Sequence, residues 1–243
     1  MQTWPIHTLS CILLTALPLA AQSAPQTTKP TPPTHISIPA EPPNLGKLGT
    51  RLTAYHDCTL KPGPCYTADL NRQANLAISF LKRRAAHTHP NEKLALVLDI
   101  DETSLSNWPE ELRVSFGYLA DDWNAWVEKE QGTAIEPTLR LYNEAIAHGV
   151  AVFFITGRPE SQRKPTEDNL KAAGYTKWEG PVILREDHPA GQLVEVYKSV
   201  ARQTIVDSGY TIILNVGDQL SDLALKPQAE YSVKLPNPFY FLP

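Results

Sequence analysis

The aliphatic run at 94–100 ends in two carboxylates, Asp99 and Asp101, spaced two apart in LALVLDIDETSLSN. An ionised carboxylate in an apolar setting is unfavourable unless a partner offsets its charge. The sequence therefore asks for positive charge nearby, and a divalent cation is the simplest source. Two acids so placed can divide labour, one attacking a substrate while the other moves protons. A second segment, Thr156-Gly157-Arg158-Pro159-Glu160, offers a hydroxyl and backbone N–H groups to an anion such as phosphate, with Pro159 suited to the first position of a helix. A third, VGDQLSDL, sets Asp218 and Asp222 four residues apart, on one turn of loop or helix. Ligation by few carboxylates suits Mg2+, which keeps several of its waters. Each segment alone has an ordinary explanation in turns and caps. Their joint placement is the signal.

Such chemistry needs a scaffold that gathers three distant segments. Apolar runs at 94–100, 150–156, 181–185, 210–217 and 231–235 are separated by helical stretches. Uninterrupted aliphatic strands with helices between them are what a parallel sheet covered on both faces requires, so the expected class is α/β, a doubly wound parallel sheet. Ligands bind such sheets beyond the carboxyl ends of the strands, near the switch in strand order, where these polar residues fall. Side-chain alternation puts Asp99 and Asp101 on one side of the first strand and Ile100 on the other. The long segment after that strand carries Trp108, Phe116, Tyr118, Trp123 and Trp126, and precedes a helix near EPTLRLYNEAIAHG that should end around Gly149. Part of it, about 104–136, is expected to form a small, mainly helical cap. Its aromatic residues would chiefly pack that cap, with stacking on a leaving group as the alternative. Upstream, Thr67 is placed to cap a helix with Leu70, Ala74, Ala77, Ile78 and Leu81 on one face. Lys82-Arg83-Arg84 suit the end of a helix, where cations complement the macrodipole.

The order D-x-D-E-T, hydrophobic-T-G-R, a Lys ahead of the next strand, then G-D-Q-x-S-D-L resembles the haloacid dehalogenase-like (HAD) hydrolases. Within them it is similar to the subfamily IIIB acid phosphatases, the group that includes plant vegetative-storage acid phosphatases and bacterial class C phosphatases. SNWP, LYNE, YKS and the closing KLPNPFYFLP extend the resemblance from about Tyr66 to Pro243. The resemblance implies the Rossmann-like core of that superfamily. It implies Asp99 as a nucleophile that forms an aspartyl-phosphate, and Asp101 as the group that protonates the leaving alkoxide and then activates water. Thr156 and the Gly157 backbone would bind the phosphoryl group, and Lys198 would neutralise its charge and steady Asp99. Mg2+ would be held by the Asp99 carboxylate, the Asp101 backbone carbonyl and Asp218, with Asp222 close by through water or Lys198. Arg158 reads as a brace for its loop, with contact to substrate as the alternative. The implied activity is Mg-dependent hydrolysis of small phosphomonoesters. A proton donor at Asp101 argues against dehalogenation, since a departing halide needs none. The other reading is a non-catalytic phosphate-ligand-binding or storage protein on the same fold.

With 243 residues and 42% hydrophobic content, the chain can bury one ordinary core, and a single catalytic domain at 44–243 is the default. Against 26 acidic residues stand 22 basic ones, for a formal charge of -4, which argues against a nucleic acid polymer as partner. Residues 1–24 contain LSCILLTALPLAAQSA and read as an export signal, too short to span a bilayer comfortably, although MQTWPIH lacks Lys and Arg. Cys11 precedes most of the apolar run, which does not suit lipid attachment. Cleavage would leave no stable membrane anchor and place the protein in the periplasm or outside the cell. Residues 25–43 include seven prolines and read as an extended tether. Cys58 and Cys65 flank TLKPGP and are expected to be bridged in an exported protein. One C-x6-C pair and seven scattered His argue against structural zinc. The sequence leaves an oligomer open.

Overall fold

The computed structural model describes residues 40–186 and 193–242. The expected export signal and most of the proline-rich tether lie outside the described residues; 40–43 are exposed and without regular structure. The strands are β1 (Lys93–Leu98), β2 (Leu105–Ser106), β3 (Thr133–Ala134), β4 (Ala151–Pro159), β5 (Ile183–Arg185), β6 (Tyr210–Gly217) and β7 (Tyr231–Lys234). All but β2 and β3 form one parallel sheet in the order β5-β4-β1-β6-β7, and β2 pairs antiparallel with β3. The chain runs outward from β1 through β4 to β5, then returns to the other side of β1 for β6 and β7. The switch in strand order therefore lies beside β1, at the strand whose carboxyl end carries Asp99.

Alternation along β1 divides the core. Leu94, Leu96, Leu98 and Ile100 pack in the larger cluster, with Leu70, Ala77 and Leu81 of α2 (Tyr66–Ala85) and Leu141, Tyr142 and Ala145 of α5 (Glu136–Ala147). Ala95 and Val97 face the opposite way, against Phe153, Ile155 and the Ala201 and Ile205 of α7 (Val194–Asp207). Asp99 continues this second row, which aims it at α7. Its N–H still donates to the Val216 carbonyl of β6 at 3.0 Å, so the backbone is held by the sheet where the carboxylate emerges.

Helix α2 keeps the expected buried face, with Ile78 partly buried beside it, and Lys82, Arg83 and Arg84 fill its last turn. Its start differs from the sequence reading. Cys65, not Thr67, is the N-cap, with extended backbone and no side-chain capping bond. Two constraints fix that start: Cys65 is bridged to Cys58, and Tyr66 is buried, its ring edge-on to that of Phe239 with centroids 5.2 Å apart. Helix α1 (Leu45–His56) precedes the bridge, capped by Asn44, and Tyr55 donates to Asp69 Oδ2 at 2.9 Å.

Between β1 and α5 lie α3 (Trp108–Arg113), α4 (Ala120–Glu128) and the β2–β3 pair. The aromatic side chains here mostly pack: Trp108 stacks on His56 at 3.6 Å and Trp126 is buried, whereas Tyr118 is exposed. Helix α5 ends at Ala147, and Gly149 follows with φ 70°, a left-handed turn that glycine takes without strain. Among the described residues no helix is long and apolar enough to cross a membrane.

The bridge closes a loop of sequence separation 7, for which chain entropy predicts about 2 to 3 kcal/mol of stabilisation. Cys58→Ser should lower the unfolding free energy by that amount in urea titrations, and reduction of the wild-type chain should do the same. Identical midpoints for reduced and oxidised protein would contradict it.

Candidate active site

At the carboxyl end of β1 the Asp99 carboxylate meets the ammonium of Lys198, which projects from α7; Lys198 Nζ donates to Asp99 Oδ1 at 2.5 Å and also to Asp222 Oδ1. All three side chains are buried. Lys198 lies one helical turn before Ala201 and Arg202 on the buried face of α7, so the periodicity that packs α7 on the sheet also aims the ammonium at Asp99. Asp222 sits in the short helix α8 (Leu220–Leu223), and its Oδ2 accepts from Gln219 N at 2.8 Å in a capping box.

Asp218 follows β6 directly. Thr103 donates to its Oδ1 at 3.0 Å, and Gln219 Nε2 and Asn237 Nδ2 donate to its Oδ2 at 2.8 and 2.7 Å. The turn between Asp218 and Asp222 closes tightly because residue 217 is glycine: a Cβ there would lie 2.3 Å from Asp222 Cβ and Oδ2. Arg202, fully buried, anchors the outgoing chain by donating to the carbonyls of Asp222, Ala224, Leu225 and Pro227.

Asp101 is held by a different cation. Arg158 Nη2 donates to its Oδ1 at 2.6 Å and Arg158 Nε donates to Oδ2 at 3.1 Å. The same guanidinium donates to Thr166 Oγ1 of α6 (Arg163–Ala172) at 3.2 Å and lies 5.7 Å from the Trp123 ring centroid. Arg158 thus braces its loop, as the sequence suggests, but the group it grips is Asp101. Thr156 is fully buried and its Oγ1 accepts from Arg158 N at 3.2 Å. A Cβ at Gly157 would meet nothing within 4 Å, so open space lies against that backbone. Pro159 is not a first helical residue: β4 runs through it, paired with Arg185 of β5, and it caps a 3-10 turn, Glu160–Gln162. Pairing with β5 keeps the chain extended past the point where proline alone would suggest a helix.

The structure therefore brings Asp99, Lys198, Asp218 and Asp222 together, and carboxylate oxygens of the three acids lie within 4.8 Å of one another. The Asp101 side chain is not in this group, which leaves only its backbone carbonyl for the ligand role. Burial pushes Asp99 well above the usual carboxylate range; Lys198 opposes the shift, and Asp222, Asp218 and Asp101 add to it. Burial and Asp222 likewise raise Asp218, against the hydrogen bonds from Asn237 and Gln219. Burial would lower Lys198, but Asp222 and Asp99 outweigh it and hold the lysine charged. Three buried acids share one ammonium, a deficit of positive charge with an all-oxygen donor set, and such a set could hold a hard divalent cation. Neither Asn107, whose Nδ2 donates to Asp101 Oδ1 at 2.9 Å, nor Arg202 is apparent as a site residue in the sequence. The only signals were SNWP, a motif without an assigned role, and one arginine on a helix.

Residues 47–243 match the family described as HAD superfamily, subfamily IIIB (Acid phosphatase). Acid phosphatase 1 of Solanum lycopersicum is 35% identical over 183 residues, which span 74% of this chain and 71% of that protein. The Stem 28 kDa glycoprotein of Glycine max is 33% identical over 187 residues, spanning 74% and 71%. The fold is also similar to that of the class C acid phosphatase from Bacillus anthracis, with TM-score 0.65 and 21% identity over 81% of this chain and 86% of that one.

Beside Asp101, Glu111 of α3 is buried, and burial, then Asp101 and Glu110, push its carboxyl from 4.5 up to about 7. A raised pKa in the folded state means that folding favours the neutral acid. The associated stability is complete below pH 4.5 and is lost as pH rises through about 7. Glu111→Gln should remove this dependence, so that wild type loses up to about 3 kcal/mol more than the variant across that window. Urea unfolding at stepped pH reads the difference, and parallel profiles would refute it.

Proposed function

Because the chain belongs to subfamily IIIB of the HAD superfamily, the acid phosphatases, we propose that it is an exported, Mg2+-dependent phosphatase that hydrolyses small phosphomonoesters through an aspartyl-phosphate on Asp99. The observation that carries this reading is the buried Lys198 ammonium bridging Asp99 and Asp222 beside Asp218 at the switch point of the sheet. Export is supported by the Cys58–Cys65 bridge, since disulfides persist outside the reducing cytosol.

In the first step an Asp99 carboxylate oxygen bonds to phosphorus as the bond from phosphorus to the leaving-group oxygen breaks, and Asp101 gives that departing oxygen its proton. In the second, Asp101 takes a proton from water, which attacks phosphorus and releases inorganic phosphate and free Asp99. Lys198 keeps Asp99 aimed and carries positive charge toward the phosphoryl oxygens, while Thr156 and the Gly157 backbone line the space where they would sit. Mg2+, when bound by Asp99, Asp218 and the Asp101 carbonyl, would supply the remaining positive charge that three buried acids and a phosphate require. Asp222 acts through Lys198, because one of its oxygens faces that ammonium and the other the Gln219 N–H. Charge stabilisation by these groups dominates, since phosphoryl transfer leaves a protein little else to supply. The α3–α4 segment serves as the cap, residues 1–24 as the export signal and 25–43 as the tether. The acidic balance of the chain favours a small ester over a nucleic acid polymer.

The purified protein should release p-nitrophenol from p-nitrophenyl phosphate with Mg2+ and stop when EDTA is added. Asp99→Asn should lower kcat on the order of 10^4-fold or more, and Lys198→Ala about 10^2- to 10^3-fold. A folded protein with no metal-dependent turnover on a panel of phosphomonoesters would favour the storage or binding reading.

A further inference from the structure

Asn107 is fully buried, and both the nitrogen and the oxygen of its side-chain amide are hydrogen-bonded. Its Nδ2 donates to Asp101 Oδ1 at 2.9 Å and to Glu102 Oε2 at 3.1 Å, while its Oδ1 accepts the indole N–H of Trp126 at 2.8 Å. Its backbone N–H donates to Glu102 Oε1 at 2.6 Å, which fixes the residue from a second side. An indole nitrogen only donates, so the amide oxygen must face Trp126. The amide therefore has one workable orientation: turned over, it would set its oxygen against two carboxylates and its N–H groups against the indole N–H. Trp126 belongs to α4, whereas Asp101 follows β1, so this single hydrogen bond ties the inserted helix to the acid.

We propose that Trp126 and Asn107 are positioning residues for Asp101: the indole sets the amide, and the amide, together with Arg158, sets the carboxylate for proton transfer to the leaving group. The inference rests on the reading of Asp101 as general acid and base. Oδ1 of Asp101 accepts from Arg158 Nη2 and Nε and from Asn107 Nδ2, whereas Oδ2 accepts from Arg158 Nε alone among the described hydrogen bonds. Oδ2 is thus the oxygen that exchanges the proton. In the forward step the O–H bond at Oδ2 breaks as the proton passes to the alkoxide oxygen, and the resulting carboxylate keeps the Asn107 and Arg158 donors on Oδ1. Water returns the proton in the second step. Packing alone does not account for the indole, since phenylalanine would occupy much of the same buried space without the N–H.

The test compares esters that need the proton to different degrees. p-Nitrophenolate leaves readily without it, and the alkoxide of β-glycerophosphate does not. Values of kcat/KM report the first, phosphorus-transferring step for both. Trp126→Phe should lower kcat/KM for β-glycerophosphate about tenfold more than for p-nitrophenyl phosphate, and Asn107→Ser at least as selectively, out of the 10^2 to 10^4 that general acid catalysis supplies. Val127→Ala, which loosens the same helix at a buried apolar position, should change both esters by the same factor. Equal losses on both esters in Trp126→Phe and Asn107→Ser, or no loss, would overturn the inference. If Trp126→Phe does not fold, Asn107→Ser decides alone. Asp101→Asn separates the two levels of the argument: selective loss there without selective loss in the positioning variants sinks the inference alone, and no selectivity there sinks the general-acid reading with it.

Discussion

Three buried carboxylates around one buried ammonium set the terms for this end of the molecule. Asp99, Asp218 and Asp222 repel one another at these distances, and burial raises Asp99 and Asp218 further. Such a cluster persists only where each acid is held by donors it cannot leave. Asp218 has Thr103, Gln219 and Asn237, drawn from three different segments; Asp222 has Lys198 and its own capping box. Arg202 does not touch a carboxylate oxygen, yet its bonds to the carbonyls of 222–227 keep the chain from swinging Asp222 away. Gly217 lets the turn close at all. The packing and the charges here are one problem, since each brace that gathers the acids also costs electrostatic repulsion that a cation would offset.

The sheet solves the aiming problem more simply. Because β1 is buried on both faces, its alternation is enforced by apolar packing on each side, Leu96 and Leu98 toward α2 and α5, Ala95 and Val97 toward α7. A slip of one residue would drive Asp99 into the larger core and Ile100 toward Lys198, which neither cluster would tolerate. The hydrophobic cores on the two faces thus fix the direction of the Asp99 carboxylate.

That dependence explains which features were legible in the sequence. The core strands stand out because both-face burial leaves continuous apolar runs, and the acids and Thr156 stand out because they follow those runs; Lys198, on a helix ahead of β6, is singled out only by the family resemblance. What did not stand out was set by partners distant in the chain. Thr67 had the right residue type for a cap, but the Cys58–Cys65 bridge and the burial of Tyr66 moved the helix start to Cys65. Pro159 had the right type for a helix start, but pairing with Arg185 kept it in a strand. Arg158 grips Asp101 across a separation of 57 residues, and Trp126 reaches Asn107 across 19. No local pattern records such pairings. Arg202 looked like any helix arginine because its partners are backbone carbonyls, which every residue has.

The two leading acids sit two residues apart, yet their surroundings pull them toward different work. Asp99 is paired with a lysine and almost closed off, its side chain 8% exposed; Asp101 is paired with an arginine and keeps 17% of its side chain open. A nucleophile gains from a dry, fixed setting in which its charge is held by a neighbour and not by water. A proton carrier needs access to the groups it serves, together with donors that hold it still while its charge changes. Under the proposed function, the turn that begins at Glu102, with its φ of 52°, separates these environments. It carries the chain out of the sheet directly after Asp101 and brings Glu102 back under Asn107. The same turn leads to Asn107, whose amide reaches Asp101 but not Asp99 among the described hydrogen bonds, so the two acids are left with different donors and with them different chemistry.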